Sequence, residues 1–474
     1  MPSSLDAKRI KYYAEYHSKI HAIALSLQVP PSGLTCRITP DAVEFAALGN
    51  DISENERSLS SIQLPSKVFP TRTTLDPITN DSTLLTLKLA AIPNTSITDH
   101  AQTEGLSRTS LSKAAPAEFP VAPLPAAELQ GLRNIVCRCC ENMLLKSHPS
   151  VNKAQDSIQT QGSEELKQDG GPLHRVVDLP SEHWQELVDC WMCHEEDFKE
   201  LREGDLGARL GQALVGGTYL LIHASDVDQS AVSIESDARA VDWTRGVKRR
   251  WRPLACSRCL NPVGDGWYQS RKEDGTDLEL IQAKFHKYMV CFEGNDNTGV
   301  SLRKTVPPQL FTSYVAAEIF EAARHHATYR FILQDRLKGT DMLLLWMVNW
   351  DSTILSNHTF DNDNSICWDD SLTPSISRSW TSEPHSSRRV MKVLYLAHPS
   401  LEKQHREDST ELAKKLEVWE RWQGDHGVER LEFHKQFALG LLTGLTQSAV
   451  SQPPTLNNAN IPSMEGMQMS YFEY

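Results

Sequence analysis

Cys137 and Cys140, Cys190 and Cys193, and Cys256 and Cys259 are each separated by two residues in a chain with ten cysteines. Random placement in a chain of this length gives about 0.2 such pairs, so three are a specific signal. Two intervening residues bend the backbone into a knuckle in which both sulfurs reach one tetrahedral ion at about 2.3 Å, with backbone amides aimed at them. Thiolate and imidazole donors favour zinc, and no four-cysteine run of the iron–sulfur type is present. His194 directly follows Cys193 and adds an imidazole to the donors. Two ligand sets are open. One closes the ion with Cys137, Cys140, Cys256 and Cys259; the other uses Cys193, His194, Cys256 and Cys259 and frees the first knuckle. Both staple segments distant in sequence, so ion binding is coupled to folding. A catalytic zinc needs an open coordination position and a general base. No His-Glu-x-x-His helix or deaminase pattern occurs, so a structural ion is expected.

The elements that must hold these donors are partly legible. Leu179-Pro180-Ser181 reads as a helix entry, with Ser181 as cap and Trp184, Leu187, Val188 and Trp191 forming one apolar stripe that ends beside Cys193 and His194. Thr218 to His223, Met342 to Trp350 and Val390 to Leu396 read as buried strands, and Phe311 to His325 as a helix. Glu402 to Val450 is helical in character, broken around Gly424 to Gly427, with Ala438, Leu441, Leu442 and Leu445 at helical spacing; Met467 to Tyr474 reads as a closing strand. Strands and helices do not alternate regularly and no Gly-rich loop follows a strand, so the expected class is α+β rather than doubly wound. The expected organisation is a β-rich N-terminal region over 1–93, a linker over 94–130 rich in Pro, Ser, Thr and Ala, and a larger mixed zinc-supported domain over 131–474 with a polar surface insertion at 151–171.

Composition narrows the function. Lys plus Arg is 48 against 61 Asp plus Glu, a formal charge of −13, which argues against nucleic acid or an anionic membrane as the main ligand. The longest apolar run, Met342 to Val348, has seven residues, short of the roughly 20 that cross a bilayer. The N-terminal stretch carries Asp6, Lys8, Arg9, Lys11 and Glu15 and does not read as a secretory signal.

Cys137-Arg138-x-Cys140, Leu179-Pro180-Ser181-x-x-Trp184-x-Glu186-Leu187, Trp191-x-Cys193-His194 and Cys256-x-x-Cys259, in that order, resemble the HECT-like family of ubiquitin-conjugating-enzyme-binding proteins. The resemblance runs from about residue 131 to the C-terminus, where Val428-Glu429-x-Leu431 and the last strand look like the family's closing segment. It implies an atypical ubiquitin ligase of cytoplasm and nucleus that binds a ubiquitin-conjugating enzyme and ubiquitin, with cyclin B as a described substrate. Fungal relatives are linked to mRNA 3′-end cleavage and polyadenylation through its endonuclease. That gives a second reading, a non-catalytic chaperone whose Cys137, Cys139 or Cys140 reaches into the partner's metal centre. Cys190 lies outside the family pattern and is left out of the metal set.

A transthiolation mechanism needs an accessible thiolate. Cys291 and Cys367 are the candidates after the knuckles, but Cys291 lies among apolar neighbours, and Asp361, Asp363, Asp369 and Asp370 near Cys367 oppose ionisation of its thiol. The catalytic residue therefore stays unassigned. Arg245, Lys248, Arg249, Arg250 and Arg252, with Trp243 and Trp251, form a basic cluster before Cys256 that reads as a solvated hairpin tip. His223, His325 and His326 read as structural histidines.

Overall fold

The computed structural model describes residues 11–28, 34–47, 60–75, 84–92, 120–146, 173–179, 207–239, 249–272, 277–295, 301–304, 311–357, 387–401, 409–450, 452 and 466–474. The run Met342 to Val348 lies within a 16-residue strand, Asp341–Ser356, at the centre of an eight-stranded sheet. This strand pairs with Arg330–Asp335 through its first part and with Lys11–His17 through its last, while Arg388–Ala397 runs antiparallel to it. Gln468–Glu473, the expected closing strand, pairs with Arg388–Ala397.

The apolar run is continuous because both faces are covered. Leu343, Leu345 and Met347 pack with helices α1 (Phe311–His326) and α3 (Lys435–Val450), whereas Leu344 faces α2 (Ser409–Gln423) through Val418, Trp419 and Trp422. The stretch 402–450 departs from its helical expectation. Between α2 and α3 lies a strand, Glu429–Phe433, parallel to Arg330–Asp335. Its Leu431 and Phe433 are buried while Glu432 is exposed, a period of two that the neighbouring helical pattern obscures.

The N-terminal region is β-rich as expected. Ala22–Gln28 and Leu84–Ala90 extend the large sheet beyond Lys11–His17, and Ser60–Gln63, Ala42–Ala47, Leu34–Ile38 and Thr71–Leu75 form a separate four-stranded sheet. Tyr12, Ile23, Leu25, Ile38 and Val43 share a core with Leu355 of the long strand. A buried charge lies at the junction. Glu15 accepts hydrogen bonds from Lys392 Nζ at 2.8 Å and Ser352 Oγ at 3.1 Å, and all three residues are buried. Lys392→Met removes the ammonium from beside Glu15 and is expected to cost about 3 kcal/mol, the lower end for a broken buried pair; the urea midpoint measures it, and an unchanged midpoint refutes the assignment.

Of the linker expected over 94–130, residues 120–130 are described, and they are held in place: Lys287 Nζ donates to the carbonyls of Pro123 and Leu124 at 3.1 and 2.8 Å. The insertion at 151–171 and the helix after Ser181 lie outside the described residues.

Arg249–Cys256, Pro262–Ser270 and Leu278–His286 are consecutive antiparallel strands of a seven-stranded sheet. Leu132–Cys137 pairs with Val290–Asn295 in a three-stranded sheet. The turn from His286 to Val290 joins the two sheets and so brings the strand ends carrying Cys137 and Cys256 together. Gly264 is required where the chain leaves the second knuckle, since a Cβ there would lie 1.9 Å from the Lys284 carbonyl oxygen. Two pairings among the described strands are parallel, Gln212–Val215 with Arg175–Asp178 and Glu429–Phe433 with Arg330–Asp335. The fold is therefore sheet-dominated, consistent in part with α+β and unlike a doubly wound sheet. No helix among the described residues is long and apolar enough to cross a membrane.

Candidate metal centre

Cys137 ends one strand and Cys256 another, and each opens a turn of the same design. The Cys137 amide donates to the Asn142 carbonyl and the Glu141 amide to the Cys137 carbonyl, at 2.8 and 2.9 Å. In the second turn the Cys256 amide donates to Asn261 and the Leu260 amide to Cys256, both at 2.8 Å. Glu141 and Leu260 both have φ of 60°, the left-handed region where residues other than glycine are uncommon. Two equivalent turns thus hold the same disfavoured backbone conformation, each beside its second cysteine.

The turns face each other and their sulfurs converge. Cys137 Sγ lies 3.5 Å from Cys259 Sγ and Cys140 Sγ 3.6 Å from Cys256 Sγ, with all four atoms within 4.8 Å of one another. Metal–sulfur bonds of about 2.3 Å in a tetrahedron give sulfur separations of about 3.8 Å, whereas a disulfide needs about 2.05 Å. The donor set therefore fits a four-coordinate tetrathiolate ion, with zinc the chemically favoured occupant. Four protein donors would close the coordination sphere of such an ion, the arrangement of a structural staple rather than a hydrolytic centre.

The surroundings polarise the sulfurs unequally. Burial pushes the Cys137 thiol well up. Burial also raises Cys259, but the backbone and side-chain amides of Asn261 and the neighbouring thiols outweigh it and bring Cys259 down to about 6. Asn142 Nδ2 donates to Cys256 Sγ and Asn261 Nδ2 to Cys259 Sγ, each at 3.5 Å. Arg138, inside the first knuckle, donates from Nη1 to the Tyr288 carbonyl at 2.9 Å and so ties that knuckle to the turn between the two sheets.

Four of the six sequence-predicted donors, Cys137, Cys140, Cys256 and Cys259, are brought together. Cys193 and His194 lie outside the described residues, as do Cys190 and Cys367. Cys291 is 3% exposed on the strand paired with Leu132–Cys137, out of reach of a bulky thioester. Of the basic cluster, Trp243, Arg245 and Lys248 lie outside the described residues; Arg249 to Arg252 belong to a strand rather than a hairpin tip, Trp251 packs edge-on against Trp267 at 4.9 Å, and Arg250 and Trp251 are half-buried. His223 accepts the Ser225 amide at 3.1 Å, a structural role.

Two features escaped the sequence reading. One is legible in hindsight, since Cys-x-x-Cys-x-Asn occurs twice, ending at Asn142 and Asn261. The other has no sequence signature. Asp265, just beyond the second knuckle, is buried between Arg336, whose Nε donates to Oδ1 at 2.7 Å and whose Nη2 bonds Oδ2, and His286 Nε2 at 3.0 Å. Burial opposes ionisation of Asp265, but Arg336 and His286 bring its carboxyl down to about 2; burial and then Arg336 lower His286 to about 4.

A family model described as HECT-like ubiquitin-conjugating enzyme (E2)-binding matches residues 15–463. The match begins well before residue 131, where the sequence resemblance was expected to start; the N-terminal strand Lys11–His17 pairs directly with Asp341–Ser356. An E3 ubiquitin-protein ligase of Rattus norvegicus is 24% identical over 289 residues, 61% of this chain and 64% of the relative. Its namesake in Mus musculus is 23% identical over 289 residues, again 61% and 64% of the two chains. The Homo sapiens protein of the same name is 22% identical over 303 residues, 61% of this chain and 66% of the relative. The matched part thus spans 64% of the length of the rat and mouse relatives. No solved structure matches.

Proposed function

Because the chain belongs to the HECT-like ubiquitin-conjugating enzyme (E2)-binding family, we propose that it acts as an E3 ubiquitin-protein ligase in cytoplasm and nucleus, docking a charged conjugating enzyme and promoting transfer of ubiquitin to a protein substrate, for which cyclin B is a candidate. The carrying observation is the convergence of two knuckles on one four-sulfur centre. When bound, the ion supplies a rigid closure. The chain's own residues do the rest. Arg138 fixes the first knuckle to the Tyr288 turn, and the paired backbone bonds within each knuckle fix the shape of its tip.

In this reading ubiquitin passes directly from the conjugating enzyme. A substrate lysine amine attacks the thioester carbonyl, the new isopeptide bond forms, and the conjugating enzyme's thiolate leaves while the amine loses its proton. Cys291, the described acceptor candidate, is buried within a sheet and takes no part. Purified protein added to charged conjugating enzyme is expected to accelerate discharge to lysine without a reducible ubiquitin adduct on this chain, equally in Cys291→Ala. A reducible adduct would instead establish an acceptor cysteine, with Cys367 the next to substitute. Absence of both binding and stimulated discharge would overturn the ligase reading.

The reading as a partner of the 3′-end endonuclease draws on Cys139, exposed on the first knuckle. Co-purification with that endonuclease, lost in Cys139→Ser while the metal is retained, would favour it.

A further inference from the structure

The two knuckles share a backbone design but not their side-chain hydrogen bonds. The Asn142 side chain does not serve its own knuckle: its amide crosses to Cys256, while Asn261 donates back to Cys259. Both side-chain amides therefore fall on sulfurs of the second knuckle. A tetrathiolate around a divalent ion carries a net charge near −2, and each N–H donated to a sulfur withdraws charge and steadies that metal–sulfur bond.

Exposure divides the four sulfurs a second way. Cys137 and Cys256 are both 0% exposed, whereas Cys140 and Cys259 are partly exposed. Of these two, Cys259 receives the backbone and side-chain amides of Asn261, and Cys140 receives the backbone amide of Asn142. Cys140 is thus the ligand that combines solvent access with the weaker hydrogen bonding. We propose that Asn142 and Asn261 are positioning residues that clamp the Cys256–Cys259 pair to the ion, and that Cys140 is the ligand at which ion exchange and attack by electrophiles begin. The inference rests on the tetrathiolate reading of the site.

The test uses the full chain carrying zinc, with Cys139→Ser to remove the adjacent exposed thiol. With limiting N-ethylmaleimide the attacked thiolate forms a sulfur–carbon bond as the maleimide carbon–carbon π bond breaks, and the resulting carbanion takes its proton from water; peptide mass spectrometry then maps the site. Cys140 is expected to be modified several-fold faster than Cys259. Asn261→Ala is expected to erase that difference by raising the Cys259 rate. Asn142→Ala, which strips a buried sulfur, is expected to leave the ratio unchanged while lowering metal affinity against a competing chelator by about 10-fold or more. With cobalt(II) in the site, either variant is expected to move the sulfur-to-metal charge-transfer band to lower energy, a signature that a merely structural role would not produce.

Equal modification of Cys140 and Cys259 in the zinc-loaded parent, which needs no asparagine variant to fold, would overturn the proposal and leave the tetrathiolate reading intact. A well-folded parent that retains no metal would overturn both.

Discussion

Cys256→Ser is expected to abolish stoichiometric zinc and produce the largest loss of stability of any single substitution described. Cys256 is fully buried at the end of a strand, its sulfur 3.6 Å from Cys140 Sγ, and its backbone closes the second knuckle through bonds at 2.8 Å. A serine oxygen is a poor replacement for a thiolate donor, and the remaining three sulfurs would crowd together without a cation. Structural zinc sites in small peptides contribute on the order of 10 kcal/mol to folding. Part of that is offset here because the flanking strands already belong to sheets, so the expected loss is several kcal/mol. Native mass spectrometry should give one zinc for the parent and none for the variant, and thermal unfolding should shift far to lower temperature. Chelation of the parent should reproduce the shift. A variant with parental melting and metal content would remove the site.

Arg336→Met is expected to cost about 3 to 5 kcal/mol, the range for breaking a buried ion pair. Asp265 is 1% exposed and receives both Nε and Nη2 of Arg336. Without the guanidinium its charge is left with neutral His286 as hydrogen-bond partner. The bond also spans the molecule's two large sheets, since Asp265 lies on Pro262–Ser270 and Arg336 follows Arg330–Asp335. Urea unfolding measures the cost.

The same cluster sets a pH dependence. Burial, then Arg336, lowers His286 from 6.5 to about 4. As acid is added the unfolded chain takes this proton first, so the stability is present in full above about pH 6.5 and lost as pH falls toward 4; the shift corresponds to at most about 3 kcal/mol. Asp265, brought from 3.8 to about 2, adds stability that is present above its unfolded value and lost only as pH falls toward 2. His286→Gln keeps a donor for Asp265 and is expected to flatten the pH 6.5 to 4 limb while sparing the more acidic one. A limb unchanged in that variant would assign the titration to another group.

The knuckles were legible because their signal is local: two residues between cysteines dictate a turn whatever the rest of the chain does. Their pairing stayed open between two ligand sets, since Cys137 and Cys256 end strands of different sheets, and long-range links such as the turn between His286 and Val290 and the Leu145–Val227 bridge bring those ends together. The long apolar strand and α1 could be read because burial on two faces and on one stripe leave distinct periodicities. Glu429–Phe433 was hidden by its length, five residues between two helices. The Asp265 cluster could not be read at all, because Asp265 and Arg336 are 71 positions apart and a single Asp or Arg has no spacing to betray it.

The strand Asp341–Ser356 takes two neighbours end to end along one edge, and one of them, Lys11–His17, comes from far earlier in the polypeptide. Ser352 follows its partner Glu15 by 337 positions. At ribosomal speeds of about 5 to 20 residues per second, the opening segment emerges tens of seconds before its mate exists. Tyr12 and Tyr13, both buried in the finished molecule, must pass that interval unmated on this edge. Nascent chains stalled short of residue 341 should accordingly recruit holding chaperones to the first strand, and release them once residue 356 has cleared the exit tunnel.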